Sequence, residues 1–436
     1  MNRQTMWGVM LLTGVSLYLW RSGEAQTIKS SRTEGPNVLL VTLDTTRADA
    51  ISAQQTPWIY RMASDGTRFT GAVSTAPITQ PAHLGILTGE PPHVSGVVTN
   101  GTDIGERPSL LSHQLKDAGW ATAAFISAAP LTRKFGWEQG WDYFGDTLQR
   151  GLLGSSRERR GSETVDEALG WLKRHKSERF AVWLHLFDPH GPYTAPGRPI
   201  DGPTDGDPLK LPAYWPDAHK AITDTDWFVE GYRAEVAEAD FQLGRVLRSL
   251  DEWGVLDDTL VVITADHGES LTEHDYLFDH GDHLYDASLR VPLVFRWPGK
   301  VAAGAELSCA TPTTAVYGAM LGLLGLRSDP LASVLSGAES CVDQAVVATT
   351  VSERFADPPP IDHAYRTATA KQVTPAKGEP FCFDLSADPG EENPLSGCPE
   401  EGRAALAEAL STGGVVKPPE QDAETEKQLK ELGYLE

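Results

Sequence analysis

Thr79-Gln80-Pro81-Ala82-His83-Leu84-Gly85-Ile86-Leu87-Thr88-Gly89 is the segment around which the rest of the chain is read. A hydroxyl side chain stands just ahead of Pro81, and Pro is accommodated in the first turn of a helix because its missing N–H would have had no partner there. Thr79 is thereby placed at a helix N-terminus. The first turn offers unpaired N–H groups and the positive end of the helix dipole, so a tetrahedral anion attacked by the Thr79 hydroxyl would be partly stabilised by its position. The plain alternative is a Thr that only caps the helix.

Working outward, the flanking sequence alternates strand and helix. Residues 38–43 form a short apolar β-branched run, as in a strand buried on both faces, and end in Asp44-Thr45-Thr46-Arg47. Helix is expected over 110–118, strand over 121–127, helix over 164–175, and strand over 179–187, which runs into Asp188-Pro189-His190-Gly191-Pro192-Tyr193. Residues 194–216 are rich in Pro, Gly and Asp without apolar periodicity and read as a long surface loop suited to selecting a substrate. Apolar spacing gives an amphipathic helix over 232–253, and a strand over 260–264 delivers Asp266-His267-Gly268. This order predicts an α/β fold: a mostly parallel central sheet with helices on both faces over 37–304. Beyond it, a helix at 313–324 and strands at 344–351 and 380–385 are assigned to a smaller C-terminal α+β subdomain, 305–436.

With 436 residues and 40% hydrophobic content, the chain can bury a sizeable core. Its 60 acidic side chains against 37 Lys and Arg give a formal charge of -23, which argues against a nucleic-acid polymer or an anionic membrane surface as partner. An anionic substrate must then be attracted locally. Residues 6–20 are an uncharged apolar run, flanked by Arg3 and Arg21 and followed by Gly23-Glu24-Ala25, short of the roughly 20 residues a comfortable span needs. Residues 1–25 read as an export signal, with an uncleaved N-terminal membrane anchor as the alternative, and 26–36 as a linker. Export gives a periplasmic or extracellular location. Cys309, Cys341, Cys382 and Cys398 suit two disulfides, with three pairings open.

Three strand ends supply ionisable groups: Asp44, then Asp188 and His190, then Asp266 and His267. Carboxylates gathered at one sheet edge repel one another unless a cation neutralises them, so a divalent metal is the simplest account. A metal beside Thr79 would also activate a hydroxyl that is a poor nucleophile at neutral pH. His190 and the pair His280 and His283 are candidates to protonate a leaving oxygen or hold non-bridging oxygens, and His280 is preferred of the pair. Arg47, three residues after Asp44, is expected to pair with the carboxylates and support them from behind. Asp188 is open: with His190 and one later histidine it would make a two-metal site, and otherwise one metal serves.

The Thr79 segment resembles the nucleophile segment of the alkaline phosphatase and sulfatase superfamily, with Thr79, Pro81, Ala82, His83, Thr88 and Gly89 at the matching positions. Sulfatases of that superfamily carry Cys or Ser, converted to formylglycine, at the first position and Arg at the fifth. Thr79 and His83 stand there instead, closer to its phosphodiesterases and nucleotide pyrophosphatases, so no formylglycine is expected. Further likeness to the sulfatase-like family lies in Gly136-Trp137-Glu138-Gln139-Gly140-Trp141-Asp142-Tyr143, in Leu284-Tyr285-Asp286 with Arg290-Val291-Pro292, in Phe383-Asp384-Leu385 with Asp388-Pro389-Gly390-Glu391, and in residues 429–434. The resemblance implies that Asp44, Asp266 and His267 bind metal with Thr79 beside it, and that His190 acts in catalysis. His83, His283 and Arg47 are assigned to the substrate. The cofactor expected is one calcium, magnesium or manganese ion, or two zinc or manganese ions.

The leading expectation is an exported, metal-dependent hydrolase that attacks a phosphate or sulfate ester through Thr79, phosphoester favoured, by a covalent intermediate. The alternatives are a sulfatase acting by direct Thr attack, a phosphotransferase that uses an acceptor alcohol, and a binding protein on an enzyme scaffold.

Overall fold

The computed structural model describes residues 35–150, 157–352, 360–411 and 413. The N-terminal apolar run, the linker through residue 34 and the landmark at 429–434 lie outside them. Eight strands form the main sheet: β1 (Asn37–Leu43), β2 (Thr67–Phe69), β3 (Ala121–Phe125), β4 (Tyr143–Gly145), β5 (Phe180–Leu186), β6 (Thr259–Ala265), β7 (Leu293–Arg296) and β8 (Ala305–Leu307). Their spatial order is β8-β2-β7-β6-β1-β5-β3-β4. From β6 to β4 the strands are parallel, whereas β7 runs antiparallel to both neighbours. Every residue of β1, β5 and β6 is buried, which is why these strands read as continuous apolar runs rather than as alternating ones.

Helices cover both faces. In chain order they include α1 (Pro57–Ser64), α2 (Thr79–Thr88), α3 (Leu111–Asp117), α4 (Gly161–His175), α5 (Thr225–Glu252) and α6 (Ala315–Leu323). The crossovers from β1 to β2, β3 to β5 and β5 to β6 advance in one direction across the sheet, and the crossover from β2 to β3 advances in the other. Right-handed connections therefore put α4 and α5 on one face and α2 and α3 on the opposite one. The packing agrees: α1 and α4 lie against α5, while α3 and α6 lie against α2. All ten residues of α2 are buried, so it has no polar face.

A second sheet is antiparallel throughout: β9 (Val346–Val351), β10 (Ile361–Arg366), β11 (Ala370–Thr374) and β12 (Phe381–Asp384). The boundary expected near Gly304 falls directly before β8, an edge strand of the main sheet, and the separate sheet begins at Val346. Cys309 pairs with Cys341 and Cys382 with Cys398. The second sheet is fastened to the first domain by a buried charge network. Asp286 receives Arg366 at 2.8 Å and Lys371 at 2.9 Å, and Lys371 also reaches Glu391 at 2.7 Å. Asp286 opens the short helix Asp286–Leu289, only six positions after His280.

A further apolar cluster lies under the 194–216 segment. Tyr193, Trp215, Phe228, Tyr232 and Phe278 are all buried there, with the Tyr193 and Trp215 rings 5.1 Å apart.

Candidate active site

Strand register assembles the carboxylates. Leu43 at the end of β1 lies opposite Leu186 of β5 and Ala265 of β6, so the next residues, Asp44 and Asp266, emerge side by side at the carboxyl edge of the sheet. This is where open α/β sheets hold ligands. Thr45 turns the chain at φ 47°, a conformation costing a non-Gly residue on the order of 1–3 kcal/mol. Its amide thereby donates to Asp266 Oδ1 at 3.2 Å, and the His267 amide donates to the same oxygen at 2.8 Å.

Among the described residues, Asp44, Asp266 and His267 form a group whose ligand atoms all lie within 4.8 Å of one another. Asp44 Oδ1, Asp266 Oδ2, His267 Nε2 and the Thr79 hydroxyl are buried and make no hydrogen bond. His267 Nδ1 lies 2.9 Å from the Gly268 carbonyl, which only accepts, so Nδ1 carries the proton and Nε2 presents its lone pair. Burial pushes both carboxyl groups well above the ordinary range, with Glu269 adding to the effect on Asp44 and Asp44 to that on Asp266. Burial likewise pushes His267 well below its ordinary value. Two oxygens, an imidazole nitrogen and a hydroxyl without protein partners suit a divalent cation, which would remove the cost of burying them.

Thr79 is the first residue of α2, with Ile78 as the N-cap, and its hydroxyl makes no capping bond. Capping is done from outside instead: Asn100 Oδ1 accepts the Gln80 amide at 2.9 Å, and the Gln80 side chain pairs with the Thr102 backbone at 2.9 and 3.0 Å. The plain capping role for Thr79 is thereby removed.

His280 is buried and stands beside the cluster, its ring 4.4 Å from His267 and 4.9 Å from His190. Its Nδ1 meets Glu269 Oε1 at 3.1 Å. His190 stacks on Phe187 at 4.3 Å and donates from Nδ1 to the Gly191 carbonyl at 2.6 Å. Burial, and His280 next, push His190 well below its ordinary value. The loop that carries His280 holds His274, Asp275 and Phe278 at φ 58°, 56° and 52°. The Phe278 conformation is over-determined by its packing in the aromatic cluster, where it stacks 4.7 Å from Phe228.

Four expected residues are engaged elsewhere. Asp188 accepts the Gly161 amide at 3.0 and 3.1 Å, holding the start of α4, and faces Arg160 at 3.9 Å, so its carboxylate is not part of the Asp44 group. Arg47 pairs with Asp49 and Glu273, both at 2.8 Å, and donates to the Glu269 carbonyl at 2.9 Å rather than to Asp44 or Asp266. His83 is fully buried with both ring nitrogens bonded, to the Thr79 carbonyl and the Thr42 hydroxyl, and so has no face for a substrate. His283 is exposed, and its ring lies 4.7 Å from Tyr276.

Two residues were not singled out from the sequence. His185, inside the apolar run of β5, donates from Nε2 to Asp44 Oδ2 at 3.1 Å, its other nitrogen receiving the Ser127 amide at 3.3 Å. Burial takes it down to about 3, so it is neutral, and it fixes which Asp44 oxygen stays open. Its signal was a polar residue on the face that Thr42 also occupies. Glu269 follows Asp266-His267-Gly268 directly and is fully buried.

A family model described as Sulfatase matches residues 36–325. The Ulvan-active sulfatase of Formosa agariphila is 24% identical over 91% of this chain and 82% of its own length. Among solved structures, the phosphonate monoester hydrolase of Agrobacterium radiobacter superposes with a TM-score of 0.69 at 21% identity, covering 86% of this chain and 94% of its own. A 2-O GAG sulfatase superposes with a TM-score of 0.70 at 20% identity, covering 87% and 92%. Ester-bond hydrolysis is the activity of such relatives by name. The family match spans the sheet, the Asp44 and Asp266 strand ends and the Thr79 helix, and the chain belongs to the sulfatase family of hydrolases.

Proposed function

We propose that this chain cleaves a phosphoester by attack of the Thr79 hydroxyl, through a covalent phosphothreonine. The observation that carries the reading is the Thr79 hydroxyl itself, buried at the start of α2 with no hydrogen bond, in company with equally unpartnered atoms of Asp44, Asp266 and His267. A divalent cation held by these four side chains would neutralise the carboxylates, lower the pKa of the hydroxyl and draw charge from the ester. The bond from Thr79 Oγ to phosphorus forms, the hydroxyl proton passing to Nε2 of His190, the ring nitrogen left basic by the bond from Nδ1 to Gly191, as the bond to the leaving oxygen breaks. His280, oriented by Glu269, gives that oxygen its proton. Water then displaces Thr79 from phosphorus, its proton restoring the one His280 gave up, while His190 returns its proton to the departing Thr79 oxygen.

Threonine has no route to formylglycine by the Cys or Ser conversion, which favours phosphate over sulfate. The phosphonate monoester hydrolase among the similar folds is consistent with that preference. Sulfate esters are the second reading, favoured by the sulfatases among the relatives. The two disulfides support export, since such bonds persist in oxidising compartments.

The test is hydrolysis of matched aryl phosphate monoester, phosphate diester and sulfate by the purified protein in manganese or calcium, beside Thr79→Ala. Faster phosphate cleavage that vanishes in the variant is the expected result. Preferential sulfate cleavage that vanishes in the variant would transfer the assignment to a sulfatase with an unmodified Thr. Undiminished turnover by Thr79→Ala would overturn both.

A further inference from the structure

Behind Thr79 runs a chain of hydrogen bonds whose sense is fixed by chemistry. The Trp183 indole N–H can only donate, and it meets Thr42 Oγ1 at 2.9 Å. The Thr79 carbonyl at the far end can only accept, and it meets His83 Nδ1 at 2.8 Å. His83 Nδ1 therefore carries a proton. His83 Nε2, 3.0 Å from Thr42 Oγ1, must then accept the hydroxyl proton for both groups to be satisfied. The order is Trp183 to Thr42 to His83 to Thr79, and no member can reverse without leaving a buried donor facing a donor. All four residues have no accessible surface, so an unmade bond could not be replaced by bulk water. The imidazole is also boxed in by rings, with centroids 5.6 Å from Trp183 and 5.0 Å from His185.

We infer that Thr42 and Trp183, acting through His83, are positioning residues that fix the orientation of the Thr79 nucleophile. The inference rests on Thr79 being the nucleophile. The last bond grips the carbonyl side of the Thr79–Gln80 peptide plane at the first turn of α2, while Asn100 Oδ1 holds its amide side at 2.9 Å. Turning that plane swings the hydroxyl, and a displacement of about 1 Å in a reacting atom can cost on the order of a hundredfold in rate. The sheet delivers both halves of the site from one face. Thr42 lies two residues before Asp44 on β1, Trp183 two before His185 on β5, and the register sets Leu40 against Trp183 and Thr42 against His185. Trp183 and Thr42 thus steer the nucleophile, while His185, directly beside Thr42, holds Asp44. His83 Nδ1 stands 3.4 Å from Asp266 Oδ2 with its proton directed at the Thr79 carbonyl, so that oxygen stays unpartnered.

Three substitutions in the full chain separate this role from simple packing. Thr42→Val keeps the volume and deletes the hydroxyl, Thr42→Ser keeps the hydroxyl and deletes a methyl, and Trp183→Phe removes the first donor while leaving the hydroxyl free to serve His83. The expected order is a fall in kcat of about 10- to 100-fold for Thr42→Val with KM within about twofold, about threefold or less for Trp183→Phe, and near-native kcat for Thr42→Ser. Side-chain ¹⁵N–¹H spectra give a readout independent of turnover. His83 should show a single tautomer protonated at Nδ1 in the native chain and in Thr42→Ser, and a mixture in Thr42→Val. Native kcat in folded Thr42→Val, a larger loss in Thr42→Ser than in Thr42→Val, or an Nε2-protonated His83 in the native chain would each overturn the inference. Should Thr42→Val not fold, the native tautomer still decides it. Turnover that survives Thr79→Ala would remove the nucleophile assignment instead, and the native tautomer spectrum would be unaffected.

Discussion

Lys371→Met tests whether the second sheet is fastened to the catalytic layer by charge. The Lys371 side chain has no accessible surface and bridges Asp286 at 2.9 Å and Glu391 at 2.7 Å. Met matches its length without the ammonium. Asp286 would keep Arg366 at 2.8 Å, whereas Glu391 would be left buried without its cation. Removing one partner from a buried pair costs about 3–5 kcal/mol. Burial already pushes Glu391 above its ordinary value, so the orphaned group can take up a proton, which argues for the lower end, about 3 kcal/mol. With a urea slope of about 3 kcal/mol/M, the denaturation midpoint should fall by about 1 M. Adding Glu391→Gln should recover part of that loss by removing the stranded charge. Acid behaviour gives a second measure. Lys371 and Arg366 hold Asp286 far below its ordinary 3.8, so its contribution is present above that value and is lost as pH falls toward the folded-state value. Lys371→Met should therefore lose less stability on acidification than the native chain. A midpoint shift below about 0.3 M, or an identical acid limb, would refute the argument.

Other tests address single contacts. Gly161→Ala would set a Cβ 2.2 Å from Asp188 Oδ2, so it should destabilise by about 1–3 kcal/mol, read as a lowered melting temperature. An unchanged melt would mean that Asp188 is free to swing away. Glu235 is pushed up from 4.5 to about 8, chiefly by burial, so its contribution to stability is full below 4.5 and is lost as pH rises through about 8. Glu235→Gln should flatten that decline, and parallel stability profiles of the two proteins would count against it. Chelation should lower the melting temperature, and a cation at about 100 times its Kd should restore about 2.7 kcal/mol. A melt indifferent to both would remove the metal assignment.

The parallel strands were legible because burial on both faces writes itself as uninterrupted Val, Leu and Ile: the run read at 38–43 is Asn37–Leu43, and that at 260–264 is Thr259–Ala265. Asp44, Asp266 and His267 were legible for the same reason, standing where such runs stop. Helix α5 begins at Thr225, earlier than apolar spacing indicated, because the Asp224 side chain caps it and Phe228 anchors its first turns in the aromatic cluster. The strands Ile361–Arg366 and Ala370–Thr374 were missed because they carry buried charge, Arg366 and Lys371, whose shared partner Asp286 lies some eighty residues away in sequence. Distance also hid the fates of Asp188 and Arg47. Asp188 lies at a strand end as a ligand should, and Arg47 three residues after Asp44 as a partner of its carboxylate should, and only the fold brings the Gly161 amide to one and Glu273 to the other. His83 matched a motif position, but its two partners come from its own helix turn and from β1, a pairing that no spacing rule encodes.

The meeting of Tyr193 and Trp215 has a use in engineering. Because the two rings touch at 5.1 Å inside a buried cluster, the chain enters and leaves the 194–214 stretch at nearly one place. A stretch with adjacent ends behaves as an exchangeable cassette: closing a longer one costs only about 0.6 kcal/mol for each doubling of length. Lengthened or shortened inserts joined at these two aromatic posts should fold alike, leaving the Asp44 and Asp266 strand ends where they are.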